Sequence, residues 1–271
     1  MLIGVIFSTS GYSNWNEITD CVLPLVSASQ NQELLNPVSA EEVKASLFDM
    51  NPDKSPGLDG MTPAFYQKSW AIVGADVVAT MQNLFASGEL LPGFNDTNLV
   101  LIPKKKNSIV MGDLRPIALC NVLYKIVSKV LANRLKGLLD QIISPYQSAY
   151  FPGRLISDNI LVSFEVLHYL KRKSQGKKGY MALKLDMSKA YDRVEWPFLE
   201  AILVTMGFHQ RWINLISACV RSVQYHIVHD GQRLGPILAS RGIRRGDHLS
   251  PYLFILCAEG FSTLIQRYEA N

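Results

Sequence analysis

Apolar residues recur along this chain at two spacings, and the spacing assigns most of its elements. Ser39 followed by Glu42 reads as a capping box opening a helix through Val43, Leu47 and Met50. A loop dense in breakers, Asn51 to Gly60, separates it from a long helix begun by Thr62 and Pro63. That helix carries Phe65, Trp70, Val73, Val77, Met81 and Leu84 near one face and stops at Gly88. Asn98–Ile102 predicts a short strand leading into a basic loop, 103–115. Val122–Leu139 predicts a helix with Ile126, Val130 and Leu138 inward and Lys125, Lys129, Arg134 and Lys136 mostly outward. After a loop at Ser144–Arg154, further helices are predicted over about 157–173, from Trp196-Pro197 to a stop at Gly207, over Gln210–Arg221, and over about 249–268. Tyr180-Met-Ala-Leu-Lys-Leu-Asp186 alternates like a strand ending in an acid, and Val223–Val228, the turn at 229–231 and the stretch to Ser240 read as a hairpin. Strands separated by helices, with antiparallel signals, predict an α+β architecture and not a doubly wound sheet.

Composition narrows the class. With 48% hydrophobic and 18% charged residues over 271 positions, the chain can bury a core. No apolar run approaches the roughly 18 residues that span a bilayer. The start, MLIGVIF, lacks the basic flank and small-residue cleavage site of a secretory signal and reads as an arbitrary start inside a longer frame. The expected compartment is nucleus or cytoplasm, without membrane attachment. Cys21, Cys120, Cys219 and Cys257 form no CxxC pair, and the five histidines show no ligand spacing, so buried free thiols are expected in place of structural zinc. Residues 1–100 hold 3 Lys or Arg against 11 Asp or Glu, while residues 101–271 hold 24 against 12. Basic clusters at Lys104–Lys106, Lys171–Lys178 and Arg241–Arg245 point to a polyanion, although any one of them alone reads as a solvated face.

The chemistry concentrates in Leu183-Lys-Leu-Asp186-Met-Ser-Lys-Ala-Tyr191-Asp192-Arg-Val. A carboxylate at a strand's C-terminal end reaches the open space beyond the sheet, where a hard cation can share carboxylate, carbonyl and phosphate oxygens. Taken alone, Asp186 reads more readily as a helix cap than as a ligand, since Ser188 and a helix follow. A calcium-binding EF-hand loop is excluded, because Tyr191 stands where its glycine would and Pro197 where its glutamate would. No G-x-G-x-x-G or P-loop pattern occurs.

Taken together, the ordered segments resemble the reverse transcriptases of LINE-type (non-LTR) retrotransposons, of the kind abundant in plants. The resemblance runs from about Trp15 to the end and rests on Lys54-Ser-Pro-Gly-Leu-Asp-Gly60, Leu101-Ile-Pro-Lys104, Asp113-Leu-Arg115-Pro-Ile and Asn121–Leu135. It continues through Gly153-Arg-Leu-Ile-Ser-Asp-Asn-Ile160, residues 184–194 and residues 241–259. It implies a right-hand polymerase: a lead-in over 1–36, fingers over 37–178 and a partial palm over 179–271. It further implies RNA template, DNA primer and deoxynucleotides as substrates, with Mg²⁺ (or Mn²⁺) as cofactor. Asp186 resembles the family's first metal-binding aspartate, with the Met187 carbonyl beside it. Tyr191 falls at the steric-gate position under the sugar, with a core tyrosine as the plain alternative. Lys104 and Arg115 fall on the segment that neutralises the triphosphate, or else form surface ion pairs. Lys54 and Arg154 correspond to contacts with template or primer backbone.

Two departures stand out. The family's Arg-Gln-Gly-Asp-Pro-Leu-Ser-Pro reads here Arg244-Arg245-Gly-Asp247-His248-Leu-Ser-Pro251. At the nucleotide-positioning place, Arg245 offers donors only where an amide offers both donor and acceptor. The chain also contains no adjacent Asp-Asp pair, so the expected Phe- or Tyr-x-Asp-Asp hairpin and the thumb are absent and the second half of the metal site with them. The expectation is a polymerase domain inactive as this stretch. A non-catalytic nucleic-acid-binding remnant and a decayed retroelement product are the alternatives.

Overall fold

The computed structural model describes the chain except residues 1–6, 10, 12–13, 152, 174–178, 230 and 271. Expectations for the MLIGVIF start, for residues 174–178 of the basic turn and for Asp230 of the hairpin turn fall outside the described residues.

Local capping places most helices where the pattern expects them. The predicted polar lead-in instead carries two short helices, α1 (Asn16–Thr19) and α2 (Ala28–Leu34), the second closed by a reciprocal Ser27–Gln30 capping box. Ser39 accepts from the Glu42 amide and opens α3 (Ala40–Phe48). Thr62 caps α4 (Pro63–Lys68), with Pro63 in its first turn. One long helix was expected from there, but the chain breaks at Ser69 and resumes as α5 (Trp70–Ser87), which ends at Gly88 in the left-handed conformation, φ +78°.

Strand β1 (Asp96–Pro103) pairs antiparallel with β2 (Leu114–Cys120), which the sequence reading assigns to loop at its start. Then follow α6 (Val122–Lys136), α7 (Leu139–Ile142), α8 (Ile156–Arg172), α9 (Trp196–Thr205) and α10 (Gln210–Arg221). The expected hairpin is β3 (Gln224–His229) with β4 (Gln232–Leu238), and α11 (Ser250–Ala270) closes the chain. The sheet order is β2-β1-β3-β4, with β1 and β3 parallel and the outer pairs antiparallel. Pro236 sits on the edge strand β4, where its missing N–H breaks no ladder. Mixed pairing and separate helices make an α+β fold.

The core is formed chiefly by α3, α5, α6, α9, α10 and α11 against the inner face of the sheet. Tyr124, Ile126, Val130 and Leu135 of α6 and Leu199, Ile202 and Leu203 of α9 are at most 1% exposed, and each such burial contributes about 1.5–3 kcal/mol. Among the described residues no helix is long and apolar enough to cross a membrane.

Two expectations are corrected. Tyr180–Asp186 forms no strand, and Met181, Leu183 and Leu185 are exposed. Its alternation suits a strand, but no strand among the described residues lies alongside it, and an extended segment without a ladder leaves its backbone to water. Helix α8, which precedes it, likewise buries none of its residues. Arg134, expected outward, is held inside: its guanidinium grips Glu42 at 2.7 and 2.8 Å and donates to the carbonyls of Leu34 and Asn36.

Candidate functional site

The breaker-rich loop 51–60 is fastened over the start of α6. Gly57 packs so tightly on Asn121 that a Cβ there would lie 2.2 Å from its side-chain oxygen. The Asp59 amide donates to that oxygen, and Lys125 donates to the Ser55 carbonyl at 2.8 Å. This roof overhangs a cleft of about 930 Å³ whose walls include Lys54, Lys125, Tyr150, Tyr191, Arg245 and His248. The far wall comes from the turn after residue 240, laced to the segment around Tyr191. Gly242 donates to the Val194 carbonyl at 2.7 Å, and Ile243 donates to the Tyr191 carbonyl at 2.9 Å.

The wall chemistry follows from burial. Arg245 donates to Asp192 at 2.8 Å, and Asp192 is only 3% exposed. Burial pushes the Asp192 carboxyl above the usual aspartate range, opposed by the positive charge of Arg245. Burial likewise lowers the proton affinity of Lys125 and of His248. Tyr191 stacks on Phe254 with centroids 5.2 Å apart and donates to the Tyr150 hydroxyl at 3.5 Å. Burial first, and that hydrogen bond second, raise its phenol well above the ordinary value, so it stays neutral. Tyr150 holds φ +65°, a left-handed conformation uncommon for a bulky residue.

Phe254 also lines a second, largely apolar cleft of about 630 Å³, with Trp15, Ile18, Phe198, Asp186 and Met187. The Tyr191–Phe254 stack therefore stands between the two clefts. Lys54, Tyr191 and Arg245, nominated from separate motifs, share the first cleft; Asp186 and Met187 line the second. Lys104 lies outside both, donating to the Gly112 carbonyl at 2.7 Å, and Arg115 is exposed on β2 opposite Ile102. Arg154 stacks over Phe151 at 3.9 Å and donates to the carbonyls of Ser144 and Gln147. Sequence reasoning gave no role in the site to Lys125, Tyr150, Arg244 or Asp192, and the charged neighbours of Asp192 (Lys189, Arg193, Glu195) hid its burial.

Near Arg154, the buried Glu259 of α11 has its carboxyl pushed above 4.5 by desolvation, with the Ser144 amide and Arg154 opposing. A raised folded value means that this group's stability is fully present below 4.5 and is lost as pH rises through the folded value. Glu259→Gln removes that loss, so its Tm minus that of the wild type should grow more positive between pH 4 and pH 7, as followed by calorimetry.

The family model of reverse transcriptase (RNA-dependent DNA polymerase) matches residues 102–270, and the chain belongs to that family. The uncharacterized 149 kDa protein of transposon TX1 from Xenopus laevis is 33% identical over 245 residues, 90% of this chain and 18% of that protein. A Pol polyprotein of the type-1 retrotransposable element R2 from Popillia japonica is 26% identical, over 80% of this chain and 29% of its own length. A Pol polyprotein of the type-2 element R2DM from Drosophila melanogaster is 27% identical, over 81% of this chain and 20% of its own length. The chain spans less than a third of each of these relatives. The motif resemblance to non-LTR retrotransposon reverse transcriptases is thereby borne out, and that family is one of nucleotidyltransferases.

Reverse transcriptases generally use divalent metals. Among the described residues no group of three or more His, Cys, Asp or Glu side chains is placed to hold one. Asp186 and the Met187 carbonyl offer one carboxylate and one carbonyl oxygen, whereas two ions about 3.5–4 Å apart need several carboxylates. The donors present do not fit a two-metal centre.

Proposed function

We propose that this chain is the fingers (37–178) and part of the palm (179–271) of an RNA-directed DNA polymerase, acting on an RNA template, a DNA primer and deoxynucleotides in nucleus or cytoplasm. The single observation carrying this reading is that Lys54, Tyr191 and Arg245 line one cleft although they come from widely separated motifs. Tyr191, neutral and flat against Phe254, serves as the surface beneath the sugar. Lys54 meets template or primer phosphate, Arg245 hydrogen-bonds the nucleotide, and Lys104, just past the end of β1, and Arg115 on the edge strand β2 meet the triphosphate. Arg154 contacts backbone only by giving up part of its present bonding. Asp186 with the Met187 carbonyl is the first half of a Mg²⁺ (or Mn²⁺) site; a second reading, a nucleic-acid binder without catalysis, rests on the excess of Lys and Arg over Asp and Glu in residues 101–271.

Fluorescence anisotropy with a recessed-primer RNA–DNA hybrid tests the cleft. Binding is expected at low salt and is expected to weaken several-fold in Lys54→Ala, since phosphate contacts depend on charge. No binding at low salt would sink the reading. Primer extension with Mg²⁺ separates the two alternatives. No template-dependent product is expected, and product abolished by Asp186→Ala would show the metal site to be complete.

A further inference from the structure

Arg245 places a full positive charge, where the resembling family has a neutral amide, in the wall of the cleft that Lys54 and Lys125 also line. The structure answers that charge with another. Arg245 lies against Asp192, 53 residues away in sequence, through a 2.8 Å charge-assisted hydrogen bond. The carboxylate is 4% exposed at its side chain and the guanidinium 26%, so the pair sits in the wall with only its cationic end reaching the cleft. In such a partly desolvated setting opposite charges at contact hold each other far more strongly than in water. The geometry is fixed before any ligand arrives. Segments 191–194 and 242–243 are laced by two backbone hydrogen bonds, and the Asp192 backbone passes so close to Gly242 that a Cβ there would meet its carbonyl at 3.1 Å.

We propose that Asp192 is a positioning residue that neutralises and aims Arg245, so that this cleft reads a nucleotide's acceptor atoms with a guanidinium bringing no net charge. Of the five guanidinium N–H donors, Asp192 engages one edge, and the rest serve acceptors on the ligand: base carbonyl and ring nitrogen atoms or sugar oxygens. Phosphate attraction then rests on Lys54 and Lys125. Asp192 thus restores the charge of the amide that Arg245 displaced without restoring its acceptor. The inference deepens the proposed cleft and rests on it.

The test is the salt dependence of binding, which a merely structural ion pair does not set. Anisotropy titrations of a labelled RNA–DNA hybrid over a range of salt give the slope of log K against log salt for the whole chain and for D192N, R245Q and D192N/R245Q. D192N uncovers one cation, so its slope should steepen by roughly 0.7–0.9, one phosphate's worth, with tighter binding at low salt. The double variant, which removes the pair without changing the net charge, should keep the wild-type slope. The Tm of R245Q should fall, and adding D192N to it should restore most of the loss, because the single change strands a buried carboxylate. If wild type binds but D192N/R245Q flattens the slope by one contact, or D192N leaves it unchanged, Arg245 is a phosphate contact and the proposal is overturned while the cleft stands. If no variant binds, D192N included, both fall. Should D192N fail to fold, the slope of D192N/R245Q still decides, unchanged for and flattened against.

Discussion

Replacing Arg244 with Met should destabilise the protein by about 3–5 kcal/mol, as expected when one partner is removed from a buried charged network. Arg244 is 5% exposed and lies over the Tyr124 ring at 3.9 Å. It donates to the Asn95 side-chain oxygen, to the Cys219 carbonyl at 2.7 Å and to Thr97 at 3.4 Å. It therefore ties β1, α6 and α10 together beneath the turn that carries Arg245. Methionine matches the stem in volume but strands the Asn95 oxygen and leaves the buried Asp247, which receives only a 3.5 Å bond from Tyr124 and a 3.3 Å bond from Ser250, without its nearby cation. Burial weakens an arginine's charge, yet here the surrounding groups hold it above its ordinary value, so the guanidinium stays charged and its loss is a loss of both charge and fork. Urea unfolding with an unchanged m-value and a lower midpoint is the expected record. A change under about 1 kcal/mol would mean that the network is worth no more than an ordinary hydrogen bond.

What the pattern of the chain made legible, and what it hid, follow from the range of each interaction. Caps are local, so Ser39, Thr62 and Gly88 mark helix ends that the structure keeps. The hairpin β3–β4 is local too. Strand β2 escaped notice because Pro116 interrupts its alternation, a residue tolerated there only because β2 is an edge strand. Tyr180–Asp186 shows the reverse error: its alternation is plain, but alternation states a preference and a strand needs a neighbour. In the cleft, Lys54, Tyr191 and Arg245 were each nominated through a motif, yet nothing in a motif tells which of them meet. The motifs placed Asp186 in the same constellation, whereas the Tyr191–Phe254 stack separates it from them. Arg134 looked like a solvated cation and Arg245 like a ligand contact, yet both are held by acids, Glu42 and Asp192, brought near by tertiary packing alone.

Gly57→Ala should cost stability and ligand affinity together, the second large effect. The penalty comes from approach. A methyl at position 57 would lie 2.2 Å from the Asn121 side-chain oxygen, 2.3 Å from its amide nitrogen and 2.6 Å from its Cα. Two of these three atoms are backbone at the start of α6, so a rotamer change at Asn121 cannot clear the clash, and either the helix start or the loop must move. Overpacking of this kind costs about 1–3 kcal/mol. The loop is the softer party, and its displacement breaks the Lys125–Ser55 and Asp59–Asn121 bonds and carries Lys54 away from the cleft. Binding of an RNA–DNA hybrid should then fall by about tenfold at moderate salt, and the salt slope should lose one phosphate's worth, roughly 0.7–0.9. Lys54→Ala supplies the comparison, since it removes the same charge from an exposed side chain and should leave Tm nearly unchanged. Equal losses of slope in both variants, with a lower Tm only in Gly57→Ala, would tie the cleft's phosphate affinity to how the loop is docked. A Gly57→Ala protein with wild-type Tm and wild-type slope would show that the loop does not form the roof of the binding cleft.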